Sequence, residues 1–156
     1  MKLIQISDLH LGKKVFGYDL MEEQKDALEQ VVHQAKENQA DAVLICGDIY
    51  DSATPPVYAV ALLNDFLEQL HDLDVDVLMI SGNHDSAGRL DFGSKILRES
   101  KIHIASIWSG QTKYVDLCKN GEKSGFICFH LFSQELSAPH LMQTNAKPIP
   151  RLCSSL

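Results

Sequence analysis

Three short stretches of this chain carry residue types that hold metal ions and move protons: Asp8-Leu9-His10, Gly47-Asp48-Ile49-Tyr50-Asp51 and Ser81-Gly82-Asn83-His84-Asp85. Asp8 and His10 alternate across one residue, so in an extended loop both can reach one ion. Asp48 adds a carboxylate able to bridge two ions, and Asn83 adds a neutral carbonyl oxygen. A set of carboxylate, imidazole and amide donors suits borderline to hard divalent ions such as Mn²⁺, Fe²⁺ or Zn²⁺. No thiolate joins it, which argues against a structural zinc site. Two ions roughly 3.5–4 Å apart can clamp a phosphate and activate a water. His84, beside Asn83, is the candidate proton donor to a leaving oxygen, because imidazole titrates near neutral pH. Asp85 is expected to orient that ring, and Asp51 to support the ligands from behind. Gly47 and Gly82 let the backbone turn sharply and approach an ion or phosphate closely.

Each piece alone has a plain reading as a surface turn, and Asn-His-Asp can be a turn closed by an Asx hydrogen bond. The combination is different. Each stretch follows a short aliphatic run: Leu3-Ile4-Gln5-Ile6, Ala42-Val43-Leu44-Ile45 and Val77-Leu78-Met79-Ile80. These runs read as buried strands, and in an open α/β sheet ligands bind beyond the carboxyl ends of the strands.

The elements between them fit that arrangement. Residues 1–7 are expected as a strand and 8–17 as a loop. Leu20, Ala27, Leu28, Val31, Val32 and Ala35 recur at helical spacing over 19–38, with Asp19 as N-cap and Glu22 in a capping box. Strands are expected at 42–46 and 75–80. A helix opens at Thr54-Pro55-Pro56 and runs to about His71. A shorter helix over 90–98 and a strand over 102–106 follow. Strands over 112–117 and 125–131 form a hairpin turning near Asn120-Gly121. Strands alternating with helices predict a mainly parallel sheet covered on both faces. From His130 onward the chain lacks sustained periodicity, and Pro139, Pro148 and Pro150 interrupt any long element.

A chain of 156 residues is long enough for one domain with a real core. Its net charge of -7 argues against a generic polyanion binder, although clustered acidic ligands bias that count and bound cations would reverse the local field. No apolar run approaches the length of a membrane span, and the N-terminus enters the first strand too early for a signal peptide, so a cytoplasmic location is expected. Cys46, Cys118, Cys128 and Cys153 show no CxxC spacing and are read as reduced thiols. His33, His71 and His103 lack acidic or amide companions at ligand spacing and read as surface or core residues. The run Asp72, Asp74, Asp76 reads as a solvated loop, and Trp108 and Tyr114 as packing residues.

Asp8-Leu9-His10, Gly47-Asp48-Ile49-Tyr50-Asp51 and Gly82-Asn83-His84-Asp85 together resemble the calcineurin-like metallophosphoesterase superfamily. Ser7-Asp8-Leu9-His10-Leu11-Gly12, Ile49-Tyr50-Asp51-Ser52-Ala53-Thr54-Pro55-Pro56 and the Ser86-Ala87-Gly88-Arg89-Leu90 after Asp85 resemble its bacterial DNA-nuclease branch, over roughly the first 120 residues. That resemblance implies the N-terminal part of an α/β/β/α sandwich. It implies Mn²⁺-dependent cleavage of DNA phosphodiesters, as a double-strand 3'-5' exonuclease and single-strand endonuclease that opens hairpins in repair and recombination. It implies a homodimer of nuclease subunits working with a long coiled-coil ATPase. Asp8 and His10 match ligands of one ion, Asp48 the bridging ligand, Asn83 a ligand of the second ion, and His84 the catalytic histidine.

The family draws further ligands from a later lone His and a Gly-His-x-His, and this chain has no Gly-His-x-His. His130 and His140 are its only late histidines, neither in a fitting context. The expected organisation is an incomplete nuclease domain over 1–126 and an atypical tail over 127–156, as a premature end or frameshift would leave. Two other readings remain: a metallophosphoesterase acting on small phosphodiesters, and an inactive fragment of the nuclease.

Overall fold

The computed structural model describes residues 1–107, 113–119 and 122–129. In chain order the elements are β1 (Leu3–Ile6), β2 (Lys14–Val15), β3 (Tyr18–Asp19), α1 (Met21–Asn38), β4 (Ala42–Cys46), α2 (Val57–Asp72), β5 (Asp76–Ile80), α3 (Ala87–Leu90), α4 (Ser94–Leu97), a 3₁₀ turn over Arg98–Ser100, β6 (Ile102–Ala105), β7 (Lys113–Lys119) and β8 (Glu122–Phe129).

The central sheet has the order β1-β4-β5-β6, with all three pairings parallel. Each strand lies beside the one that precedes it in this series. Right-handed crossovers that step in one direction deposit their helices on the same face. The core bears this out: Val43, Ile45, Val77 and Met79 of the sheet cluster with Leu28 and Ala35 of α1 and with Ala59, Leu63, Phe66 and Leu70 of α2. Burying side chains of this size stabilises by about 1.5–3 kcal/mol each. The alternate residues face the other way, where Ala42, Leu44 and Leu78 pack against Val115 and Leu117 of β7. That second face is covered by β7, which pairs antiparallel with β8. The described residues therefore stack helix, sheet and sheet, the N-terminal layers of the expected sandwich.

Several local expectations shift in detail. Asp19 stands one residue outside the N-cap, at Leu20, yet its Oδ1 accepts the Met21 N–H at 3.0 Å. The N-cap of α2 is Pro56 rather than Thr54, and no side chain caps it. The helix expected over 90–98 divides at Gly93, whose φ of +74° ends one turn before α4 begins. The loop expected over 8–17 contributes β2 to a small hairpin with β3. β8 runs past residue 126 to Phe129, so it crosses the boundary expected there. Asn120-Gly121, Trp108, His130 and His140 lie outside the described residues. Tyr114 is exposed instead of packed. Of the acidic run, Asp74 pairs with Lys101 at 2.6 Å and Asp76 with His103 at 3.0 Å.

Candidate metal centre

Parallel pairing of β1, β4 and β5 brings their carboxyl ends side by side. The first two loops continue the ladder beyond the strands. Asp8 N–H donates to the Gly47 carbonyl at 3.2 Å, His10 N–H to Asp48 at 3.0 Å, and Leu11 N–H to Ile49 at 2.9 Å. Asp51 N–H returns to the Leu11 carbonyl at 3.1 Å. Leu11 and Ile49, both fully buried, pin this zipper into the core.

The third loop joins through two contacts. Asp48 Oδ1 accepts the His84 N–H at 3.0 Å. Asp85 accepts three backbone N–H groups, from Gly82 at 2.8 Å and Ile49 at 3.0 Å on Oδ2, and from Tyr50 at 2.8 Å on Oδ1. The expectation that Asp85 orients the His84 ring is thus corrected. Its carboxylate staples the β4 and β5 loops together, because three neighbouring donors converge on it. The His84 ring is held instead by the Asp51 carbonyl, 2.9 Å from Nδ1. Close approach explains the glycines. A Cβ on Gly82 would lie 2.0 Å from Asp48 Oδ1, and one on Gly47, whose φ is +88°, would lie 3.1 Å from the Gly82 Cα.

These loops bring together the donors singled out in the sequence. One donor atom each from Asp8, His10 and Asp48 lies within 4.8 Å of the others, and the same holds for His10, Asp51 and His84. His10 belongs to both groups, and the imidazole separates them. Its Nε2 faces Asp8 Oδ1 at 3.9 Å, while Nδ1 faces Asp51 Oδ1 at 3.5 Å. Nδ1 is buried and makes no well-formed hydrogen bond. With Nε2 as the donor to an ion shared with Asp8 and Asp48, Asp51 sits where a carboxylate fixes the ring tautomer from behind. The His10 and His84 rings stack edge to face, with centroids 4.8 Å apart. Asn83 is exposed on the same loop as His84.

Backbone conformation marks the same residues. Asp8, His10 and Asp48 have φ of +56°, +44° and +47°, a left-handed conformation uncommon outside glycine, in which Asn, Asp and His are the usual exceptions. Such strain gathers at functional sites and persists only where surroundings over-determine it. Here the zipper and the Asp85 staple supply that constraint. The charge balance also points to a cation. Three carboxylates, Asp8, Asp48 and Asp51, surround His10, and among the described residues the lysine paired with them is Lys13, 4.0 Å from Asp51. The donors present therefore fit divalent metal ions.

Tyr50 packs behind this loop, 8% exposed. Burial, helped by the negative charge of Asp85, pushes its hydroxyl up to about 12. An acid raised in the fold stabilises it below its unfolded value and loses that contribution as pH climbs to the folded one. Stability should therefore fall between about pH 10 and 12 by roughly 2–3 kcal/mol on this account. Urea titrations at several pH values should show a shallower fall in Tyr50→Phe, and identical slopes would contradict the assignment. Burial also pushes the half-buried Cys46 thiol up, which makes it a poor nucleophile.

A parallel sheet whose loops pool carboxylates, imidazoles and an amide at its carboxyl edge is the architecture of a metallophosphoesterase. The chain belongs to the calcineurin-like phosphoesterase family, whose model matches residues 1–152. It is 39% identical over 105 residues to the SbcD subunit of nuclease SbcCD from Staphylococcus epidermidis, an alignment covering 67% of this chain and 28% of that protein. It is 35% identical over 118 residues to the SbcD subunit of nuclease SbcCD from Staphylococcus saprophyticus, covering 75% of this chain and 31% of that one. The chain thus spans less than a third of the length of these curated relatives. Among the described residues, no helix is long and apolar enough to cross a membrane.

Proposed function

We propose that this chain is the N-terminal, metal-bearing part of a DNA nuclease subunit of the SbcD kind, with its catalytic portion running at least to the end of β8 at Phe129. The observation that carries the reading is the convergence of Asp8, His10, Asp48 and His84 on one zipped set of loops. The substrate is DNA, cleaved as a double-strand 3'-5' exonuclease and a single-strand endonuclease. The partner is an SbcC-type coiled-coil ATPase, with two nuclease subunits in the complex, working in the cytoplasm in repair and recombination. The names of the two relatives, each a subunit of a nuclease, support the nuclease part of this assignment.

In this reading Asp8 and His10 would hold one divalent ion, Asn83 would hold a second, and Asp48 would serve both. Bound Mn²⁺ would polarise the phosphate and lower the pKa of a water. The chain's own residues do the rest. The Asp51 carboxylate, 3.5 Å from His10 Nδ1, would favour the proton on that nitrogen, so that Nε2 presents its lone pair. The Asp51 carbonyl accepts a hydrogen bond from His84 Nδ1–H, which leaves Nε2 as the nitrogen free to act. A protonated His84 then donates from Nε2 as the phosphorus–oxygen bond to the leaving group breaks. The leaving alcohol gains that proton, and the ring stays neutral with its proton on Nδ1.

Calorimetric titration of the 156-residue chain with Mn²⁺ tests the metal assignment. Binding should be saturable and should weaken at least about tenfold in Asp48→Ala, the low end of what removing a supporting ligand costs. A titration that Asp48→Ala leaves unchanged would remove Asp48 from the site. Two tight ions would mean that further ligands come from elsewhere, His130 and His140 included. One weak ion would favour the fragment reading. Comparing hydrolysis of DNA with that of a small diester separates the nuclease from a general phosphodiesterase.

A further inference from the structure

The loop that carries His10 runs directly into the β2-β3 hairpin. Lys13 N–H donates to the His10 carbonyl at 3.0 Å, and Leu20 N–H returns to the Lys13 carbonyl at 3.3 Å. The base of this hairpin is braced. Gln24 accepts the Gly12 N–H at 3.1 Å and donates to the His10 carbonyl at 2.7 Å, and the Tyr58 hydroxyl reaches the Gly12 carbonyl at 3.4 Å. Val15 pairs with Tyr18, which leaves Phe16-Gly17 as a two-residue turn. Both have positive φ, +50° and +86°, as a type I′ turn demands. Asn or Gly fits the first of these positions without strain, and Phe does not.

Phe16 is also 97% exposed, and Tyr18 is 77% exposed. Among the described residues the fold gains nothing from a strained aromatic ring in water, so the residue type answers to something beyond them. Lys13 and Lys14 flank the tip. Their partners, Asp51 at 4.0 Å and Asp19 at 3.7 Å, form loose exposed pairs that contribute little and can yield to phosphates. Phe16 lies six residues beyond His10, within about 20 Å of it along the chain.

We propose that the β2-β3 hairpin is a base-stacking finger: Phe16, with Tyr18 beside it, stacks on an unpaired nucleobase of the strand whose backbone enters the metal centre. This rests on the nuclease reading and adds a preference for unpaired bases near the cut. Aromatic stacking takes any base, because every base offers a π-face.

The test measures anisotropy of a labelled oligothymidine and of the matching abasic oligonucleotide, which keeps the phosphates and lacks the bases. Wild-type chain should prefer the oligothymidine about 5- to 150-fold. F16N should lose that preference, and F16W should keep it. Asn is at home in the left-handed turn, so F16N should fold at least as well as wild type, and circular dichroism checks this. Hydrolysis of a small diester should be equal in all three. A base preference retained by F16N overturns the finger. So does a wild-type chain that hydrolyses the diester and binds both oligonucleotides equally, an outcome that leaves the nuclease reading intact. F16N that keeps its base preference but loses retention of the coiled-coil ATPase assigns the tip to a protein contact instead. A wild-type chain with neither hydrolysis nor oligonucleotide binding removes the nuclease reading, and the finger with it.

Discussion

Replacing His84 by glutamine is expected to slow phosphodiester hydrolysis about 10²- to 10⁴-fold, the usual contribution of a positioned general acid. Glutamine keeps the backbone N–H that donates to Asp48 Oδ1, so the Asp48 carboxylate should stay in place. It has no group that releases a proton near neutral pH. Mn²⁺ affinity should therefore change little, and the loss should appear in the chemical step. A sharper check uses the leaving group. A diester that loses nitrophenolate needs little protonation, so His84→Gln should be impaired far less on it than on DNA, whose leaving oxygen is an alkoxide. Equal impairment on both substrates, or loss of Mn²⁺ binding, would show that His84 acts as a ligand or a structural residue and not as the acid.

Asp85→Ala should be the most destabilising single change near the site, by about 3–5 kcal/mol. The reason is the number of donors stranded. Gly82, Ile49 and Tyr50 all give their N–H to this one carboxylate. Removing it leaves three backbone donors without an acceptor in a part-buried place, and each such donor is costly. A loss of that size is a large share of the roughly 5–15 kcal/mol that holds a typical domain together. Asp85→Asn keeps one acceptor oxygen and should cost less. Urea denaturation of the three proteins measures this directly. The staple also sets the distance between Asp48 and Asn83, so Asp85→Ala should weaken Mn²⁺ binding even where the chain remains folded. Near-equal stability of Asp85→Ala and wild type would show that these loops are held by the sheet alone.

The sequence marks the site more clearly than the way it is built. Asp8, His10, Asp48 and His84 stand out because each follows a strand-length aliphatic run. That local pattern is enough to place them at the ends of strands. The helices α1 and α2 are legible for a similar reason, since their apolar positions repeat at the period of one buried face. Phe16 carries no such mark. An aromatic in a polar loop reads as ordinary until its backbone angle and exposure are known. The role expected for Asp85 fails for a related reason. Its neighbour in the chain is His84, but two of its three partners are 35 and 36 residues away at Tyr50 and Ile49.

Short-range spacing alone encodes three strand-loop units, two amphipathic helices, a terminal hairpin and the donor types at the strand ends. Those features need no knowledge of the fold, because each is written within one element and its loop. The sharing of one face by α1 and α2, with β7 over the other, arises at a higher level, from the order in which strands join the sheet. The same holds for the pairing of Asp48 with Gly82 and His84, the three-donor staple at Asp85, and the left-handed backbone at Asp8, His10 and Asp48. Each depends on two loops far apart in the chain being pressed together, and local periodicity does not record which loops those are.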